Sequence, residues 1–361
     1  MNTPAPAEHS ACAIVRDFHG PAPYTTASAR PIAVSGDRPT GLLHLGHYAG
    51  SLVTRLRLQE THEQYLLIAD LQALTDHAQQ PTAVATHVVE VALDYLAVGI
   101  DPARSTICVQ SHMPELAELT MFLLNLVSIG RLQRNPTVKA EIAQRRFKGD
   151  IPAGFLLYPV SQAADITAFR ARAVAVGEDQ LPMIEQTNEL ARSVNRICGF
   201  TLLPDAEAIV GRTGRLPGAD GRRKMSKTSG NVLRLSASGD EIRKFVNRMY
   251  TDPQHVLATD PGRTEGNVVF TYLDAFAPAS VDVDTLRQQY RQGGLGDAVL
   301  KAQLSEILDA LLAPIRARRA TFANDRAEVL RMLRLGTERA RGPAAVTVSE
   351  LRRALGFNYF A

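Results

Sequence analysis

The chain predicts an α/β protein: a doubly wound parallel sheet followed by a C-terminal helical domain. Three observations carry this. Short apolar runs at 31–35, 65–69, 106–109 and 173–176 alternate with amphipathic stretches of helical length. Alternation with short links is what a parallel sheet covered by helices requires. Beyond about residue 235 the strand-like runs cease, and 361 residues suit two domains of about 150 each.

Pro31-Ile-Ala-Val-Ser35 reads as a short buried strand, closed by the turn-forming run Gly36-Asp-Arg-Pro-Thr-Gly41. Helical spacing follows from about Leu43 to Glu60, with Leu45, Tyr48, Leu52 and Leu56 among its apolar positions. Tyr65-Leu-Leu-Ile-Ala69 is a second strand. Pro81 then opens a helix to about Val98, since proline suits the first helical turn. Thr106–Val109 is a third strand, and the pattern from Pro114 to about Lys148 is helical. Ala173–Val176 is a further strand feeding a helix from about Gln180 to Ile197. Residues 211–230, GRTGRLPGADGRRKMSKTSG, hold five Gly and six Lys or Arg, and a loop of that kind inside a compact domain is usually functional. Ser238-x-x-Glu241 and Thr347-x-x-Glu350 both have the form of a capping box. The expected division is a loose extension over 1–30, a catalytic domain over 31–235 and a helical domain over 236–361.

Composition narrows the function classes. With 45% apolar and 21% charged residues, the chain is not a disordered tail protein. A net charge of +3 is too small to imply nucleic acid or membrane as a partner without local patches. Cys12, Cys108 and Cys198 are far apart and form no CxxC, so neither a zinc knuckle nor a redox pair is written here, and the odd count suits a reducing compartment. No apolar run reaches the roughly 18 residues of a membrane span, and the first thirty residues lack the features of a signal peptide. A cytoplasmic location is expected. Among 12 Phe and 9 Tyr there is no Trp.

Three segments point to chemistry. The first is Gly36-Asp-Arg-Pro-Thr-Gly-Leu-Leu-His44-Leu-Gly46-His47, a strand, a turn and a helix start. A helix start at the carboxyl end of a parallel strand offers N–H groups to a phosphate. His44 and His47 share a helix face, and Gly46 admits a flat ring or a backbone closely. A plain helix start with two half-exposed histidines fits the same residues. The second is Lys224-Met-Ser-Lys227-Thr228, able to close over a triphosphate or to be a solvated basic loop. The third is Val174-Ala-Val-Gly177-Glu-Asp179-Gln180, where Asp179 either accepts from a ribose or caps a helix.

Order and distance decide between these readings. HLGH at the first strand–helix turn, then GEDQ, then KMSKT, resembles the signature set of class I aminoacyl-tRNA synthetases, usually written HIGH and KMSKS. Tyr158-Pro-Val-Ser-Gln-Ala-Ala-Asp165-Ile, Arg38-Pro-Thr-Gly41, Tyr95-Leu-Ala-Val-Gly-Ile-Asp-Pro102 and Met249-Tyr-Thr-Asp-Pro253 are similar to the bacterial-type tryptophanyl-tRNA synthetases. The resemblance covers roughly residues 31 to 340 and implies a Rossmann-type fold.

The resemblance implies ATP contacts at Arg38, Pro39, Thr40, Gly46 and His47. It places the ribose at Gly177, Glu178 and Asp179, adenine beside Leu216, and the phosphates at Lys224, Met225, Ser226, Lys227 and Thr228. His44, His47, Lys224 and Lys227 would be the catalytic donors. Asp165 would accept the indole N–H of tryptophan, with Tyr158, Val174 and Val176 lining its pocket. The family charges tRNA for tryptophan, uses ATP with Mg²⁺, and is homodimeric. Arg38 stands where many members have Gln, Gln162 where many have Met, and Thr228 where the signature ends in Ser. The rival readings are a tyrosyl-tRNA synthetase, which shares both signatures, and a synthetase-like regulator that binds adenylate or RNA. Eight Arg against three acids between Ala313 and Gly342 suggest a basic face for phosphates in an anticodon-reading helical half.

Overall fold

The structure, a computed structural model, describes residues 30–145, 147, 150–211, 216–221, 225 and 231–359. Of the extension expected over 1–30, only Arg30 lies among them. Five strands, β1 (Ile32–Asp37), β2 (Glu63–Ile68), β3 (Ser105–Val109), β4 (Ala173–Val176) and β5 (Glu207–Val210), form one sheet in the order β3-β2-β1-β4-β5. Every pairing is parallel, with Ile32 opposite Glu63 and Ala33 opposite Ala173. The chain winds outward from β1 to β3 and then returns to build β4 and β5 on the other side, which is the doubly wound sheet expected. The reversal leaves a crevice between the carboxyl ends of β1 and β4, where open α/β sheets bind ligands.

The first helical stretch is a turn, α1 (Leu45–His47), a π-helical turn over Tyr48–Leu52, and α2 (Val53–Thr61). It is followed by α3 (Asp70–His77), α4 (Pro81–Val98), α5 (Pro114–Leu124), α6 (Ile129–Arg134) and α7 (Pro136–Arg145). Next come α8 (Ala153–Thr167) and α9 (Leu181–Cys198), then α10 (Gly239–Asn247), α11 (Val268–Phe276), α12 (Val283–Gln292), α13 (Asp297–Ala323) and α14 (Arg326–Ala354). Two elements carry no clear period in the sequence. Helix α8 has Pro159 in its interior, and β5 is only four residues long.

Period-two alternation sends Leu66 and Ile68 to one apolar cluster and Tyr65 and Leu67 to the other, one on each face of the sheet. The first cluster joins Leu43, Leu45 and α4 to Phe245, Leu273, Leu308 and Leu312, so one core runs across the expected boundary near 235. Helix α14 gives Val329 and Leu333 to that cluster, and Ala340, Ala344, Val348 and Leu351 to the other. It crosses the edge strand β3 between them, where the Thr337 hydroxyl accepts from the Val109 N–H at 3.0 Å. A buried stripe of this length keeps α14 continuous. Thr347 therefore caps nothing: it lies inside the helix, its hydroxyl donating to Pro343 O at 3.2 Å. The other capping box is present, with Glu241 N–H on Ser238 Oγ and Ser238 N–H on the Glu241 carboxylate.

The arginines of the C-terminal half do not form a bare basic face. Arg316 donates to Ala237 O and Asp309, Arg318 to Ala97 O, and Arg319 to Asp94 and Glu90. Arg326 meets Glu90, Arg341 meets Glu115, and Arg331 and Arg334 pair with Glu328 and Glu338 of their own helix. The apparent excess of charge is largely neutralised by acids of α4, α5 and α14. No helix of the described residues is long and apolar enough to cross a membrane.

Candidate active site

The crevice begins at the first signature. His44 is the N-cap of α1 and is buried; its Nδ1 accepts the Gly46 N–H at 3.1 Å, while His47 Nδ1 accepts the His44 N–H at 3.2 Å. This is a capping box built from two histidines, with ring centroids 3.9 Å apart. An Nδ1 that accepts a hydrogen bond carries no proton, so both neutral rings hold theirs on Nε2. The N–H groups expected to await a phosphate are already engaged. Leu45 N–H donates to Leu233 O at 2.8 Å, Gly46 N–H to His44 Nδ1, and His47 N–H to His44 O at 2.8 Å.

The second signature packs against the first. A Cβ at Gly46 would lie 2.9 Å from His44 Cε1 and 3.3 Å from Met225 Sδ, so a side chain here would press on the His44 ring and crowd Met225. Met225 and Leu216 are buried in the same cluster as Leu43 and Leu45. The chain leaving the loop pairs back on the first signature, with Leu235 N–H on Leu43 O at 3.1 Å and an antiparallel bridge between His44 and Arg234. Lys224, Ser226, Lys227 and Thr228 lie outside the described residues.

On the other side of the turn, Pro39 is buried and Thr40 N–H donates to Arg38 O. Arg38 is held by Asp76 at 3.1 Å, and Asp76 also pairs with Arg145 at the end of α7. The Arg38 guanidinium lies 5.9 Å from the Tyr158 ring centre. Burial pushes the Tyr158 phenol up, and its hydroxyl has no hydrogen-bond partner among the described residues. Beneath the turn, Arg55 is 2% exposed in its side chain and meets Asp37 at 2.6 Å, with Tyr95 Oη bonded to both. Burial would raise the Asp37 pKa, but the Arg55 guanidinium and these hydrogen bonds hold it below the usual carboxylate range.

Asp165, on α8, is buried. Oδ1 accepts from Gln110 Nε2 at 2.9 Å; Oδ2 accepts from Gln110 at 2.8 Å and from Gln72 at 2.6 Å. Burial pushes its pKa up to about 7; the two glutamines pull it down, and Asp70 adds to the rise. The amides are themselves fixed, because Gln110 Oε1 accepts the Gln72 N–H and Gln72 Nε2 also reaches Ser161. Sequence reading passed over Gln72 and Gln110. Their signal is position: each follows the carboxyl end of a parallel strand, β2 and β3. Gln162, the departure from Met, donates to Gln180 Oε1 at 3.3 Å and so ties α8 to the GEDQ turn. Val174 and Val176 are buried in the sheet.

Gly177, Glu178, Asp179 and Gln180 form a 3₁₀ turn directly after β4, with Gln180 N–H on Gly177 O at 2.9 Å. Asp179 does not cap α9, whose N-cap is Gln180 with no side-chain bond. A Cβ at Gly177 would meet Asp179 Oδ1 at 2.8 Å, so the carboxylate folds back over the glycine. Thr137 of α7 donates to the Asp179 carbonyl at 2.7 Å. The two turns thus face the same crevice from β1 and β4.

A sequence profile of tRNA synthetases class I (W and Y) matches residues 26–313. The chain is 55% identical over 336 residues to a tryptophan–tRNA ligase of Clostridium longisporum, covering 92% of this chain and 98% of the relative. It is 53% identical over 338 residues to one of Streptococcus pyogenes, covering 92% and 99%. Tryptophanyl-tRNA synthetase of Campylobacter jejuni, solved with ADP and tryptophan, superposes with a TM-score of 0.76 at 28% identity, over 90% of this chain and 99% of that one. A tyrosyl-tRNA synthetase of Archaeoglobus fulgidus gives 0.61 at 20% identity over 81% of this chain and 90% of that one, a likeness of fold. On sequence and fold together, the chain belongs to the class I aminoacyl-tRNA synthetases of the tryptophan and tyrosine family.

Proposed function

We infer that the chain is a tryptophan–tRNA ligase. The observation that carries the specificity is Asp165, a buried carboxylate at the sheet's carboxyl end, oriented by two amides and with acceptor capacity remaining on Oδ1. An indole N–H takes that remaining acceptor site and a phenyl ring cannot, and sites built to bond a substrate N–H reject analogues lacking it by as much as about 10⁴–10⁵. The carboxylate of tryptophan attacks the α-phosphorus of ATP, pyrophosphate leaves, and tryptophanyl-adenylate forms. The terminal 2′-hydroxyl of the tRNA then takes the aminoacyl group and AMP departs.

The substrate supplies the nucleophile, so the protein contributes position and charge stabilisation. His44 and His47 donate through Nε2, joined by Lys224 and Lys227. Arg38, Pro39, Thr40, Gly46, Leu216, Met225, Ser226 and Thr228 surround ATP, while Gly177, Glu178 and Asp179 hold the ribose. Mg²⁺ would arrive as the partner of the triphosphate, as in phosphoryl and nucleotidyl transfer generally. When bound it shares the phosphate charge.

The helical residues 236–361 take the tRNA, and two copies act as a homodimer. Most of the arginines of α13 and α14 are already bound to carboxylates or carbonyls. Arg234, Lys244 and Arg248 line a cavity of about 620 Å³ beside Thr40 and Gly41, and none of the three is in an ion pair among the described residues. Pyrophosphate exchange measured side by side with tryptophan and tyrosine tests the reading. Exchange with tryptophan alone is expected; exchange with tyrosine makes the chain the sister enzyme, and tryptophan binding without charging makes it a regulator.

A further inference from the structure

Leu43 immediately precedes the N-cap His44, and both of its backbone groups are tied. Its carbonyl accepts from Leu235, and its N–H donates to Asp94 Oδ2 at 2.7 Å. Asp94, on α4, is 1% exposed, and its Oδ1 accepts from Arg319 Nε of α13 at 2.6 Å. Arg319 also reaches Glu90, which Arg326 of α14 holds from its other oxygen. Arg316, three residues before Arg319 on α13, donates to Ala237 O at 2.7 Å, two residues past the segment that pairs with the first signature. Two arginines on neighbouring turns of one helix therefore grip both backbone segments that frame His44.

We propose that Asp94 and Arg319 are positioning residues for amino-acid activation, through which α13 sets the pose of the HLGH turn. Neither touches a substrate. Removing the cation of a buried pair leaves the carboxylate as an uncompensated charge, which disturbs its placement. With Arg319 in place, both Asp94 oxygens are committed, and the Leu43 N–H has one fixed acceptor. The two histidines cap each other from that point, so a shift at Leu43 moves both rings and their Nε2 donors together. The tryptophan pocket is built separately, from α3, α8 and the end of β3. Loss of the anchor should therefore reduce turnover and spare tryptophan binding.

The inference rests on the proposed ligase activity, and the wild-type chain separates the two. Tryptophan-dependent pyrophosphate exchange by the wild type decides the activity; the ratio of variant to wild type decides the inference. For Arg319→Gln we expect kcat for exchange to fall at least tenfold, with KM and Kd for tryptophan within twofold. The chain has no Trp, so selectively excited indole emission comes from the ligand alone, and its change on binding reads Kd. Arg319→Lys, which keeps a cation beside Asp94, should recover most of the loss. Glu90→Gln, a milder change that leaves the Asp94 pair intact, should lower kcat about threefold and decides the matter if Arg319→Gln does not fold. Unchanged kcat in a folded variant, or kcat and tryptophan affinity falling together, overturns the proposal.

Discussion

At the residue scale the sharpest handle is the proton of Asp165. Burial raises its pKa to about 7, so the carboxyl is ionised above that pH and neutral below it. The ionised carboxylate is the stronger acceptor for an indole N–H, and free tryptophan does not titrate between pH 5 and 8. The dissociation constant for tryptophan should therefore rise as pH falls below about 7, by up to about tenfold per unit. Fluorescence titration across that range checks it. Asp165→Asn should flatten the dependence and weaken discrimination against phenylalanine; a slope that survives the substitution would remove Asp165 from the site. Lys227→Ala should slow adenylate formation by about 10²–10³, the usual loss for one preorganised donor, with little change in tryptophan affinity. Equal losses in rapid-quench rates and in binding would refute that role. The carboxylate itself was legible in the run QAADI only through resemblance. Its orienting glutamines were not, because their meaning comes from lying at two strand ends that the sheet brings together.

At the scale of elements, α14 does what the sequence did not announce. Parallel sheets leave edge strands with unpaired backbone groups, and here β3 is covered by a helix from the far end of the chain. The crossing is close: a Cβ at Gly336 would lie 2.1 Å from Ile107 O. Gly336→Ala must therefore push α14 away from β3 and should destabilise the fold by about 1–3 kcal/mol, the usual effect of overpacking. Gly342→Ala on the same helix meets nothing within 4 Å and should stabilise by up to about 1 kcal/mol, since alanine favours helix. Urea midpoints of the two variants compare them directly, and equal effects would mean that α14 does not rest on β3. Strands β1 to β4 were readable because buried strands carry apolar runs. Helix α8 was not, because its interior proline hides the helical signal and its buried face is nearly continuous.

For the whole molecule, the question is where a polyanion docks. Local charge counted along the chain favours α13 and α14, but most of those arginines are bound to carboxylates or carbonyls, Arg318, Arg319, Arg326 and Arg341 to ones of the sheet half. Charge already paired releases few counterions when nucleic acid arrives, whereas Arg234, Lys244 and Arg248 remain to do so. Lys244→Glu with Arg248→Glu should raise KM for tRNA at least tenfold and flatten its salt dependence, while tryptophan-dependent exchange stays within twofold. An unchanged salt slope in aminoacylation would move the docking surface elsewhere. By itself the sequence determined the sheet, the signatures and the family, because apolar periodicity and short motifs are local properties of a chain. Only the tertiary structure decided that the N–H groups of the HLGH turn are already used and that the arginine-rich helices clamp the catalytic half. It also decided that Asp165 has a pKa near neutrality. Hydrogen-bond satisfaction, ion pairing and desolvation depend on which distant residues meet, and no stretch of sequence contains that.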